Sequence, residues 1–126
     1  MAVGDTWLES DGKAVNVLLT STVGKSQVAV VEGWLGIAQS SGNSGDYIAL
    51  AVDEREYQIT VPATLAVSKG DIIYIEVADV TGHIPDDSAY GTAAGAGKIA
   101  FVKATADKDA NNIVTGIMLA KASLLS

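Results

Sequence analysis

The sequence predicts an all-β domain, a compact β-barrel or β-sandwich of about seven to nine short antiparallel strands. Apolar residues alternate with polar or smaller ones in one segment after another, and a period of two places every second side chain on one sheet face. The alternating residues are largely β-branched or aromatic, the side chains that fit a half-buried pleated surface. Turn residues separate the segments about every ten positions, and no window carries an amphipathic helix longer than two turns.

In chain order, Val15, Val17 and Leu19 alternate with Ala14, Asn16 and Leu18. A valine-rich run, Val28 to Val31, leads into Trp34-Leu35-Gly36-Ile37-Ala38, where Trp34 reads as a core residue. Ile48, Leu50 and Val52 form the next set, followed by Tyr57, Ile59 and Val61, and then by Ile73, Ile75 and Val77. Ile99 and Phe101 sit beside Lys98, Ala100 and Val102, and Ile113, Thr115, Ile117 and Leu119 close the series. Thr64 to Ser68, after Pro62, has room for one helical turn at most.

Turns are expected at Asp11-Gly12, Val23-Gly24-Lys25, Glu32-Gly33, Ser41 to Asp46, Lys69-Gly70-Asp71 and Thr81-Gly82. Glycine supplies the positive φ that such turns require, and Asn or Asp bonds its own backbone there. Two stretches break the rhythm. Residues 1–12 read as an N-terminal arm or edge strand, polar apart from Trp7 and Leu8. Residues 81–97 read as one long Gly/Ala-rich loop, and loops of that length are usually functional or mobile. Residues 1–126 thus form a single β domain without internal repeats.

Composition narrows the function. Apolar residues make up 48% of the 126, enough to fill a core. A chain of this size buries roughly two-thirds of its unfolded surface. Without cysteine there is no disulfide framework, thiolate metal site or cysteine nucleophile. The start of the chain has neither a basic segment nor a long apolar one, so no secretory leader is expected. Its apolar runs are far shorter than the ~20 residues of a membrane helix, so no membrane partner is expected either. Net charge is −7, and the eight basic residues are scattered. Phosphate binding needs cations gathered on one surface, so nucleic acid is not an expected partner.

Three segments resemble chemical motifs. Gly91-Thr92-Ala93-Ala94-Gly95-Ala96-Gly97-Lys98 looks like a phosphate loop. Five residues rather than four lie between Gly91 and the Gly-Lys pair, and Ile99 stands where Ser or Thr would hold magnesium. Asp107 to Asn111 begins like a calcium loop, but Asn112 and Met118 replace its glycine and bidentate glutamate. His83 is the only histidine, and Asp86 and Asp87 are its acidic neighbours in sequence. Zinc sites usually gather several His or Cys ligands, and no Gly-x-Ser-x-Gly elbow is present. The expectation is a binding protein, not an enzyme, with no cofactor and no metal.

The order of several motifs resembles a known family. These are Trp34-Leu35-Gly36-Ile37-Ala38, a Gly45-containing turn with Tyr47-Ile48-Ala49-Leu50, and Ile59-Thr60-Val61-Pro62. Ser68-Lys69-Gly70-Asp71-Ile72-Ile73-Tyr74 and Gly97-Lys98-Ile99-Ala100-Phe101-Val102 follow. Together, over roughly residues 4–120, they resemble the small capsid decoration (cement) proteins of tailed bacteriophages, some of which carry the label of predicted phage recombinase. Members often show Gly-Val-Ala where this chain has Gly36-Ile37-Ala38, and Val-Tyr where it has Ile73-Tyr74.

The resemblance implies a homotrimer on the outer capsid surface of the virion, bridging subunits of the major capsid protein after synthesis in the host cytoplasm. The recombinase label receives no support from the scattered charge. Trp7, Leu8, His83, Asp86 and Tyr90 are the candidate partner contacts, because they lie in the two irregular segments, which can reach across a subunit seam. The alternative is a β-sandwich recognition module, a carbohydrate-binding or fibre-tip domain, for which Trp7, Tyr90 and Tyr47 would supply the aromatics.

Overall fold

The computed structural model describes residues 2–5 and 13–119. Trp7, Leu8, the Asp11-Gly12 turn and most of the expected arm lie outside the described residues. Eight strands of four to seven residues carry the fold: β1 (Ala14–Leu18), β2 (Val28–Val31), β3 (Trp34–Ala38), β4 (Tyr47–Ala51), β5 (Glu56–Thr60), β6 (Ile72–Glu76), β10 (Lys98–Ala104) and β11 (Ile113–Met118). Three two-residue strands, β7 (Val80–Thr81), β8 (Ile84–Pro85) and β9 (Tyr90–Gly91), bring the number to eleven. They divide the segment expected to be one long loop, with one 3-10 turn at Val77–Asp79 just before β7 and another at Asp87–Ala89 between β8 and β9.

The strands form a four-stranded sheet, β1-β4-β3-β2, a five-stranded sheet, β5-β11-β10-β6-β9, and the small β7-β8 hairpin, all antiparallel. Of the two architectures the sequence predicts, the layered one is found, since neither sheet closes on itself.

Two hydrophobic clusters account for the strand patterns. One lies between the sheets, where Leu35 and Ile37 of β3 meet Ile59, Ile73, Ile75, Ile99, Phe101, Val114 and Met118 of the larger sheet. The other covers the opposite face of the smaller sheet and gathers Val17, Leu19, Val23, Ala29, Val31, Ala38, Ile48 and Leu50. A sheet covered on both faces needs apolar residues in both phases. Ile37 and Val28 accordingly serve the first cluster, and Ala38, Ala29 and Val31 the second. Each fully buried Leu, Ile or Val contributes about 1.5–3 kcal/mol.

Strands β2, β4 and β6 are entered through the same four-residue turn. The N–H of its first residue donates to the side chain of the fourth, and the N–H of the fourth returns to the carbonyl of the first. Gly24–Gln27 (2.7 and 3.2 Å), Asn43–Asp46 (2.8 and 2.9 Å) and Ser68–Asp71 (2.9 and 3.0 Å) all do this. Ala2–Asp5 repeats it. Gly45 and Gly70 supply the positive φ at the third position. In the Gly24 turn that place belongs to Ser26, with φ of 71°, although the glycine was the expected residue.

The larger sheet departs from simple alternation twice. A bulge between Ala100 and Val102 turns both Phe101 and Val102 into the core. In β11 the expected phase is reversed. Val114 and Met118 are fully buried while Ile117 is 43% exposed. Gly116 explains the choice, because a Cβ there would stand 2.9 Å from the Lys103 carbonyl oxygen of the paired strand. The small residue belongs on the crowded face, and the isoleucines are left on the open one.

Gly36 sits in the tightest place of the smaller sheet. A Cβ would overlap the Ala51 carbonyl oxygen and come within 2.9 Å of Leu50 Cγ. Gly36→Ala is expected to destabilise the protein by about 1–3 kcal/mol, the usual range for overpacking, and a urea melt reads this as a lower midpoint at unchanged slope.

Candidate functional site

Of the candidate contacts, His83, Asp86 and Tyr90 all lie in the excursion from Val80 to Gly91, and each does something different. His83 occupies the second position of a two-residue hairpin turn between Thr81 and Ile84. Gly82 and His83 both have positive φ, 56° and 75°, as a type I′ turn requires. The backbone and ring of His83 then reach the outer strand β2 and the chain just past the end of β1. Its carbonyl accepts the Val30 N–H at 2.8 Å. Its Nδ1 stands 3.1 Å from the Val30 carbonyl oxygen, and its Nε2 stands 3.0 Å from the Thr20 amide nitrogen.

An amide can only donate, so Nε2 accepts, and the tautomer that fits has the proton on Nδ1, donated to Val30. Thr20 Oγ1 shares Nε2 at 3.1 Å. The Glu32 carboxylate adds a parallel link, accepting the Leu18 N–H at 2.9 Å. Thus β2 and the end of β1 are joined by side chains rather than by a ladder, and the sheet is wrapped around its own core.

Asp86 belongs to the same hairpin. Its carboxylate accepts the Thr81 hydroxyl at 3.1 Å, and its N–H donates to the Asp79 carbonyl at 2.8 Å. Tyr90 turns the other way. Burial pushes its phenol above the usual tyrosine range, and the nearby Asp87 charge adds to the shift.

Tyr90 and Ile84 stand at a cleft of about 580 Å³ between the two sheets. Val28, Ile37, Ile59 and Ile84 give it an apolar floor, and Ser26, Gln27, Gln39, Gln58 and Thr60 a polar rim. No acidic or basic side chain is among the described lining residues.

The remaining lining residue, Tyr57, is held from outside the cleft. Its hydroxyl donates to Asp53 Oδ1 at 2.5 Å, Asp53 pairs with Arg55, and the Arg55 guanidinium lies 5.7 Å from the ring centroid. Desolvation raises the Asp53 pKa, but the hydrogen bonds from Tyr57 and Arg55 and the Arg55 charge outweigh it. The carboxyl is therefore held below its usual range. The Tyr57 phenol is raised, first by desolvation and then by the Asp53 carboxylate.

The two motif-like loops are tied into the fold. The Gly91 to Lys98 segment runs into β10, not into a helix, with the Lys98 N–H bonded to Gly95 and the Val77 N–H to Gly97. In the β10–β11 turn, Asp107 accepts the Lys69 N–H at 2.7 Å, and Asp109 accepts those of Asn111 and Ile113.

The glutamines of the cleft carry no signal of their own in the sequence. Each falls next to or within a strand as an ordinary polar residue, and only the meeting of β2, β3 and β5 across the sheets collects them.

His83→Gly deletes the ring while suiting the positive φ. It is expected to cost about 1–2 kcal/mol of stability and to speed hydrogen exchange at the Thr20 and Val30 amides. The ¹⁵N shifts of the native imidazole should show Nδ1 protonated. Asp53→Asn tests the cluster behind the cleft. A depressed carboxyl contributes stability above the ordinary carboxylate range, and that contribution is lost as pH falls through the folded-state value. The variant should therefore melt earlier than wild type at neutral pH, with the gap closing in acid.

Compared with known proteins, the chain matches no family model, no curated protein and no solved structure.

Proposed function

We propose that this protein is a structural binding protein that bridges protein subunits, and that its role is that of a capsid decoration protein of a tailed bacteriophage. The observation that carries this reading is a pair of separate apolar surfaces on different sheets. Tyr47 and Leu18 are cross-strand neighbours on the smaller sheet, 71% and 36% exposed. Ile117 lies on the outer face of the larger sheet, beside Ala104 and Leu119 in a groove flanked by Lys69 and Lys103. A module that recognises one ligand needs one such surface, whereas a bridge needs two.

The assembly in this reading is a homotrimer on the outer capsid surface, with the major capsid protein as partner, as the resemblance implies. Each contact can then be weak, because a trimer engaging three sites gains affinity through effective concentration. Residues distant in sequence are joined by the ladders, which suits a part that must hold its shape under load. The reading assigns no chemistry to the chain. The polar groups that sequence alone would nominate for catalysis, His83 and Asp86, are engaged in the β7-β8 hairpin and its seam.

Sedimentation with expanded phage shells, together with light scattering of the free protein, tests the proposal. A trimer that pellets with shells is expected. Tyr47→Asp and Ile117→Asp should each weaken pelleting about tenfold or more, since buried anchors dominate such interfaces, with urea midpoints unchanged. A monomer that stays in the supernatant overturns the proposal.

A further inference from the structure

The strand edges of this protein are not treated alike. An exposed edge offers a row of unpaired N–H and C=O groups to any other strand, and proteins usually cover or charge it. The upper part of β1 and the middle of β2 are covered, with Leu18 bonded to Glu32, Thr20 to His83, and Val30 to His83 at both its polar groups. The lower part of β1, at Ala14, adjoins a hollow lined by Lys13, Asp53, Glu54 and Arg55, where charge does the protecting. Strand β9 is only two residues long.

Among the described residues, strand β5 has none of these devices along its length beyond Glu56. Its partner β11 bonds to the alternate residues, as the Met118 N–H to Arg55 and the Val61 N–H to Asn112 bonds show at the two ends. By that alternation the backbone groups of Glu56, Gln58 and Thr60 point away from β11. No described residue meets those of Gln58 and Thr60. This open edge borders the uncharged cleft, with Ile59 and Ile37 in its floor and the Val28 edge of β2 across from it.

We infer that the cleft is a strand-acceptor site: it takes an extended, uncharged segment of another protein, which pairs with β5 and sends every second, apolar side chain onto Ile37 and Ile59. The chemistry of the occupant follows from the lining. Backbone pairing supplies affinity, and the pockets for alternate side chains supply selectivity. A charged side chain entering the cleft would lose water and meet no counter-charge. Gln27 Oε1 accepts the Gly24 N–H and Gln39 Nε2 donates to the Ile37 carbonyl, so Gln27 Nε2, Gln39 Oε1 and the Gln58 amide are the groups that would bond a neutral partner's backbone or hydroxyls. The five residues of β5 span about 17 Å at 3.4 Å each, so a segment of similar length suffices. The site is separate from the Tyr47 and Ile117 surfaces, so its test stands apart from shell binding.

The probe is a short synthetic peptide of alternating threonine and valine, blocked at both ends, with a twin carrying N-methyl groups on the edge that would face β5. The unmodified peptide is expected to slow hydrogen exchange at the Gln58 and Thr60 amides about tenfold or more, as new ladder bonds do, and the twin is expected not to bind. Gln58→Pro removes an N–H that β11 does not use, a place where an edge strand tolerates proline. It should weaken the peptide at least about tenfold, the loss of a backbone bond and of access to the edge, without moving the urea midpoint. If that variant fails to fold, the two peptides decide alone.

Equal binding of the twin overturns the inference. So does a neutral oligosaccharide such as maltotriose shifting the Gln27, Gln39 and Gln58 side-chain amides while the peptide protects nothing. Self-association of the protein through β5, seen as concentration-dependent protection of the same amides, overturns it as well.

Discussion

The His83 imidazole, with the His83 carbonyl and the Glu32 carboxylate beside it, holds the smaller sheet in its wrapped form. Four short strands cannot close by a ladder of their own, yet the face that carries Val17, Leu19, Ile48 and Leu50 must be kept from water. The His83 hairpin meets this need by placing one ring between Thr20 and Val30, with the acceptor on one side and the donor on the other. The neutral imidazole is the side chain that offers both at opposite edges of a rigid plane. With the seam in place, β2 and β3 are covered on both faces and require apolar residues in both phases. That is why the run Trp34 to Ala38 is nearly continuous in its burial, and why only glycine fits at position 36, where Ala51 presses from the neighbouring strand.

The same economy of edges organises the outer surface. Where the protein needs to end a sheet, it does so with a carboxylate, an imidazole, a group of charges or a strand too short to serve as template. Where it does not, polar amides and tyrosines surround an apolar floor. Its titratable groups are arranged to hold loops: Asp46 and Asp71 close turns, Asp107 and Asp109 hold the β10–β11 connection, and Asp53 fixes Tyr57.

Much of this was legible residue by residue. The alternating sets at Val17 and Leu19, Ile48 and Leu50, and Ile73 and Ile75 are buried as their spacing predicts. The Gly-Asp pairs at 45–46 and 70–71 form the turns expected of them. The alternation of Ile113, Thr115 and Ile117 points to the opposite phase of β11 from the one found, because the deciding contact is made by Gly116 with the paired strand. The bulge at Phe101 was hidden for the same reason, since a bulge is a property of two strands and not of one. The segment 81–97 looked like a loop because two-residue strands are too short to show a period.

Period-two patterning and turn chemistry are local, so the sequence by itself determined the all-β class, most strand positions and the turns that lead into β2, β4 and β6. Only the tertiary structure decided that the first sheet wraps and is sealed through His83, that no described strand pairs with the outer edge of β5, and that Gln27, Gln39, Gln58 and Tyr90 line one cleft. The physical reason is range. Backbone torsion and side-chain period act over a few residues, whereas seams, edges and clefts arise where Thr20 meets His83, or where Gln27 and Gln58 line one cleft, and no neighbouring residue records it.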